Sequence, residues 1–175
     1  MPHELLQRKT IFSGKVFDVS QCEYRLPDQR VHLYDLVEHL PAVTLVPLDA
    51  EGRVIFVRQY RIGAGAELLE LPAGVLQAQE DPAEGAAREL REETGMASTA
   101  LTRLGGFFMS PGYSTEYMHV FLAAGLQPDP LPMDEDEFLE ITSIPAGDAL
   151  RMARAGEIVD GKSIVALMMA EKYLG

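Results

Sequence analysis

The sequence predicts an α+β domain: a mixed β-sheet covered on both faces by helices. Three observations lead there. Many short segments are β-branched or aromatic, only three segments carry helical start and stop signals, and no linker or repeat interrupts the chain. Its 175 residues are 47% hydrophobic and 24% charged, too apolar for disorder. A chain of this length can bury roughly 70% of its unfolded surface around one core, so one structural unit is expected.

Taken in order, Lys15 to Arg25 and Arg30 to Val37 are rich in Val, Phe, Tyr and Leu and flank Pro27-Asp-Gln, a hairpin turn signal. Ala42 to Leu48 and Arg53 to Tyr60 are β-branched runs joined by Asp49-Ala-Glu-Gly52, a second hairpin. Further strands are expected at Glu67–Leu71, Leu101–Phe108, Tyr117–Ala123 and Phe138–Ile144. The first helix has a complete signature: Asp81 as N-cap, Pro82 at the first helical position, Glu84 three residues after the cap and Gly95 as terminator. A second helix is read at about Ala146 to Ala155, and a third from about Lys162 to Leu174.

Composition also bounds function. Acidic residues number 27 against 15 basic, a net charge of −12. That sign opposes tracking along a nucleic-acid backbone, so no nucleic-acid partner is expected. The longest apolar stretches, such as Ile164 to Ala170, fall far below the ~20 residues of a membrane span, and the start lacks a signal-peptide core. One cysteine, Cys22, can close no intrachain disulfide; the expectation is a cytoplasmic protein with no membrane partner.

An acidic protein still handles phosphates when divalent cations lie between its carboxylates and the ligand. At ~100° per residue, Glu89, Glu92 and Glu93 share an arc of about 100° on the first helix. Ala83, Ala86, Ala87 and Leu90 form a packing stripe beside them. The carboxylates repel one another by about 0.2–0.5 kcal/mol per i,i+3 or i,i+4 pair, and they stand toward the end of the helix where the dipole disfavours negative charge. A solvated acidic face would be the plain reading. A site for Mg²⁺, which takes hard oxygen donors, is the sharper one.

The wider pattern decides between them. Gly74, five residues, Glu80, seven residues, then Arg88-Glu-Leu-Arg-Glu-Glu-Thr-Gly-Met96 fills every fixed position of a 23-residue signature. It resembles the Nudix box of the Nudix hydrolases. The resemblance implies an α/β/α sandwich with a loop–helix–loop metal site, in which Glu89, Glu92 and Glu93 hold divalent metal, supported by Glu80 and by the main-chain carbonyl of Ala73. Mg²⁺ is the expected ion, with Mn²⁺ as a substitute. Arg88 is expected to pair with a box glutamate and fix its rotamer.

Outside the box, Gln59-Tyr-Arg61, Glu67-Leu-Leu-Glu-Leu-Pro-Ala-Gly74, Ser110-Pro-Gly112 and above all Pro111, fifteen residues after Met96, resemble the ADP-ribose pyrophosphatase branch. That branch implies hydrolysis of a nucleoside diphosphate sugar, ADP-ribose first, with GDP-mannose or a broader ADP-sugar range as alternative and a non-catalytic ADP-ribose sensor as a third reading. It implies that Glu137 joins the metals and Glu135 serves the attacking water. Arg61 is expected on phosphate or terminal ribose, Glu70 and Glu116 on ribose hydroxyls, and Tyr113 at the mouth. Phe17, Tyr24 and Tyr34 are candidates for the adenine shelf. Residues 1–40 are expected to supply strands for a homodimer, and 41–175 the hydrolase domain.

Overall fold

The computed structural model describes residues 3–133 and 138–175. Contacts divide the chain into two compact units, one of residues 1–41 with 108–117 and one of residues 42–107 with 118–175.

The first unit is an antiparallel sheet in the order β1 (Glu4–Ser13), β2 (Asp18–Arg25), β3 (Val31–Glu38). The Pro27 turn closes the β2–β3 hairpin, with Leu26 N donating to Arg30 O at 2.7 Å. β1 extends the sheet beyond the two strands expected from the sequence. Every residue of it is exposed, so no buried face imposes the alternation that would have revealed it. The 108–117 segment adds to the same unit: Val37 N donates to Tyr113 O at 2.7 Å, and His39 N to Thr115 Oγ1 at 2.9 Å.

The second unit contains β4 (Ala42–Pro47), β5 (Arg53–Arg61), β6 (Ala66–Glu70), β7 (Ala73–Val75), α1 (Pro82–Thr94), β8 (Met96–Phe108), β9 (Tyr117–Pro128), β10 (Glu140–Pro145), α2 (Ala146–Ala155) and α3 (Gly161–Ala170). Where a single mixed sheet was expected, two are present here: β7-β4-β9-β8 and β10-β5-β6. The first is the mixed one, because β4 runs antiparallel to β7 and parallel to β9.

All six residues of β4 are buried, as a strand covered on both faces requires. Val43 and Leu45 pack with Ala86 and Leu90 of α1 and Phe121 of β9. Val46 joins Phe56, Leu71 and Val120 against Ala149 and Leu150 of α2 and Leu167 of α3. Burying each Leu or Phe of this set contributes about 1.5–3 kcal/mol. β4 therefore ties α1 to one face of its sheet and the other two helices to the opposite core, the sandwich expected of the family.

Several boundaries shift. β8 begins at Met96 rather than Leu101, through small residues too weakly apolar to mark a strand. The last helix ends at Ala170, and a 3₁₀ turn covers Glu171–Tyr173. The strand expected from Phe138 begins at Glu140, leaving Phe138 85% exposed.

Candidate active site

The helix that carries the carboxylates starts and stops as its sequence dictates. Asp81 Oδ1 accepts from Ala83 N at 2.8 Å, Pro82 opens the helix, and Gly95 closes it in the left-handed region at φ 71°. Gly74 in β7 faces it so closely that a Cβ there would lie 2.1 Å from the Glu89 carboxylate. A side chain there would have to displace that carboxylate. One residue earlier, Ala73 N donates to Glu93 Oε2 at 3.0 Å. Pro72 O is pinned by Leu45 N at 2.9 Å and Thr44 Oγ1 at 3.1 Å, so the lead-in to the helix is held on β4.

Arg88 sits among three carboxylates. Its Nε donates to Glu80 Oε1 at 2.9 Å and Nη2 to Glu80 Oε2 at 3.0 Å, while Nη1 serves Glu89 Oε1 at 2.7 Å and Glu92 Oε2 at 2.8 Å. The expected pairing with a box glutamate is thus present three times over. The Glu80 pair and the adjoining charges of Glu89 hold the guanidinium protonated even more firmly than usual, against the opposing effect of burial. Arg88 in turn holds Glu80 below the ordinary carboxylate range.

Glu89 is 8% exposed and Glu93 2%. Arg88 supplies positive charge to Glu80, Glu89 and Glu92, and the charge of Glu93 is felt by the Arg61 guanidinium. The other arginine of the helix, Arg91, turns to Asp129 at 3.1 Å. Among the described residues, no three acidic, histidine or cysteine side chains are already gathered as a metal cage; the guanidinium stands between them instead. The donor set nevertheless suits a hard divalent cation, being all oxygen and partly buried.

A second polar cluster lies between β5, β6 and α3. Arg61 makes a two-pronged pair with Glu70, Nε to Oε1 at 2.8 Å and Nη2 to Oε2 at 2.6 Å. Lys162 Nζ also donates to Glu70 Oε2, and to Asp160 Oδ2 at 2.9 Å. Asp160 caps α3, accepting from Ser163 N at 3.1 Å, and Ser163 Oγ accepts from Leu71 N at 2.7 Å. Burial alone would raise the Glu70 carboxyl, but hydrogen bonds and charge from Arg61 and Lys162 outweigh it and hold the group below its ordinary value.

The residues expected from the sequence are therefore distributed as follows. Ala73, Glu89, Glu92 and Glu93 belong to β7 and α1 of the second unit. Arg61 and Glu70 share one ion pair there, with Glu70 only 1% exposed and both its oxygens engaged by protein donors. Tyr113, 59% exposed, and Glu116, half-buried, lie in the first unit. Glu135 and Glu137 lie outside the described residues. Lys162, Asp160 and Ser163 went unnoticed in the sequence. Asp160 three residues before Ser163 is a capping signal, but nothing local marks Lys162 as buried.

A family model described as NUDIX domain matches residues 38–166. An ADP-ribose pyrophosphatase of Bacillus subtilis (strain 168) is 36% identical over 169 residues, covering 95% of this chain and 91% of that protein. The methanol dehydrogenase activator of Bacillus methanolicus is 32% identical over 164 residues, covering 93% and 89%. The crystal structure of an ADP compounds hydrolase superposes with a TM-score of 0.88 over 99% of this chain and 95% of that one. At 24% identity that last likeness is one of fold.

Proposed function

The chain belongs to the Nudix family, whose model spans well over half of it, and from that premise we propose that it hydrolyses the pyrophosphate bond of ADP-ribose to AMP and ribose 5-phosphate with Mg²⁺. The observation that carries this reading is the row of oxygen donors on α1, with buried Glu89 and Glu93 and Gly74 close against the Glu89 carboxylate. Its substrate is drawn from the 36% identical ADP-ribose pyrophosphatase, matched over nearly its whole length.

Glu89, Glu92 and Glu93 would hold the cation with the Ala73 carbonyl, Mn²⁺ being the substitute, and Glu137 is assigned to the same task. Once bound, a divalent cation supplies charge to neutralise the pyrophosphate and acidity to activate water. Glu135 would accept a proton from the water that attacks phosphorus. Arg88 releases glutamate oxygens while keeping their rotamers. Arg61 contacts phosphate or terminal ribose through Nη1, which lies outside its pair with Glu70; Glu70 acts through Arg61. Glu116 is assigned to a ribose hydroxyl and Tyr113 to the mouth. A cavity of about 300 Å³ lined by Tyr24 and Tyr34 offers an aromatic shelf for adenine.

The protein works as a cytoplasmic homodimer. Leu5, Leu6, Ile11, Phe12, Val31 and Leu33 of the first unit are 38–54% exposed, an apolar surface of the kind that marks an interface, and Cys22 is a free thiol. No helix among the described residues is long and apolar enough to cross a membrane. Comparing kcat/KM for ADP-ribose, other ADP-sugars and GDP-mannose with Mg²⁺, with products identified, tests the assignment. AMP and ribose 5-phosphate with ADP-ribose preferred is the expected result. A preference for GDP-mannose overturns the substrate, and tight ADP-ribose binding without turnover overturns the enzyme.

A further inference from the structure

Lys162 breaks two local rules. It is the second residue of α3, where the helix dipole disfavours a cation. It is also only 7% exposed, although a lysine stem is long enough to carry its ammonium to water. Residues that violate local preference in this way tend to serve a site. Its two partners say which. One is Asp160, the cap of its own helix; the other is Glu70, whose carboxylate is already gripped by Arg61. The chain of contacts runs from a rigid helix start, through a buried ammonium and a buried carboxylate, to a guanidinium that is 41% exposed. Glu70 and Lys162 are buried and the Asp160 side chain is 14% exposed, so Arg61 is where the arrangement opens most to solvent.

We propose that Lys162 is a positioning residue for substrate: with Asp160 it fixes the Glu70 carboxylate, which fixes Arg61 so that Nη1 faces the phosphate or ribose. The inference rests on the reading of Arg61 given above. Without Lys162, Glu70 loses a donor on Oε2, and the Arg61 fork loses the fixed plane that two parallel hydrogen bonds require.

The experiment measures kcat and KM for ADP-ribose in the full-length protein with Mg²⁺ for Lys162→Met, Lys162→Arg, Arg61→Ala and the Arg61→Ala/Lys162→Met double variant. Lys162→Met is expected to raise KM about tenfold, equivalent to about 1.4 kcal/mol, with a smaller change in kcat. Lys162→Arg is expected to restore most of it. In the Arg61→Ala background the Lys162 change should add little, because residues acting through one contact are not additive. If Lys162→Met fails to fold, Lys162→Gln, which keeps a donor to Glu70, carries the same test with a smaller KM rise. A loss confined to kcat with KM unchanged is what mere loss of folded protein gives, and it overturns the proposal. So does a full additive KM effect in the double variant. If Arg61→Ala itself leaves KM unchanged, the substrate role of Arg61 falls, and the positioning of it with it; if Arg61→Ala raises KM and Lys162→Met does not, only the inference about Lys162 falls.

Discussion

Around Arg88, three carboxylates crowd one guanidinium; between β5, β6 and α3, Glu70 and Asp160 share Arg61 and Lys162. In the first cluster one guanidinium serves three acids, and in the second two acids meet two bases. Hard oxygen donors gathered on one helix face suit a divalent cation arriving from outside. The second cluster is paired within itself, which fixes the orientation in which the half-exposed Arg61 is presented. Charge pairing, rather than the number of acids, separates the two.

The largest expected effect breaks the comparison on activity. Glu93→Gln should lower kcat on the order of 10²–10³-fold, while its unfolding temperature holds or rises, because Gln keeps an acceptor for Ala73 N and removes a repelling charge. Steady-state rates beside a thermal melt check both halves; a variant as active as the wild type sinks the metal role of α1. In the braced cluster the pattern should reverse. Lys162→Met is expected to lose about 3–5 kcal/mol of stability, since it strands buried carboxylate charge, and denaturant unfolding measures it. Pairing it with Glu70→Gln should recover part of the loss.

Mg²⁺ sharpens the contrast. At a hundred times its dissociation constant it should stabilise the wild type by about 2.7 kcal/mol and a Glu89→Gln/Glu93→Gln protein much less. Equal shifts in both melts would place the ion elsewhere. The smallest effect is one of pH. The folded-state pKa of Glu70 is depressed, because hydrogen bonds from Arg61 and Lys162 outweigh the raising effect of burial. Its contribution to stability is therefore present above the ordinary carboxylate range and is lost as pH falls through the folded value. Glu70→Gln should flatten the acid limb of the stability curve, seen in unfolding free energies measured at successively lower pH.

These two clusters also differ in how far the sequence discloses them. Asp81, Pro82, Gly95 and the three glutamates stand within fifteen positions of one another and obey helix periodicity, so both the helix and its acidic face are readable directly. Gly74 needs no contact map either, since the spacing to Glu80 and Arg88 marks it. By contrast, Glu70 and Lys162 are 92 residues apart, and their meeting depends on how β6 and α3 dock, which no local pattern encodes. β1 was lost for a different reason, the lack of a buried face. Glu70, expected at the ribose, has both oxygens engaged by Arg61 and Lys162.

The pairing of Ala42 with Met118, parallel and far apart in sequence, bears on the order in which the molecule can be made. β4, β7 and α1 leave the ribosome well before β9, yet β4 is buried on both faces and needs β9 along one edge. Parallel pairings of high sequence separation form slowly, because loop entropy must be overcome before contacts repay it. The nascent chain thus carries the acidic helix on an unfinished sheet, and the competent site is expected to arise at the end of folding rather than to nucleate it.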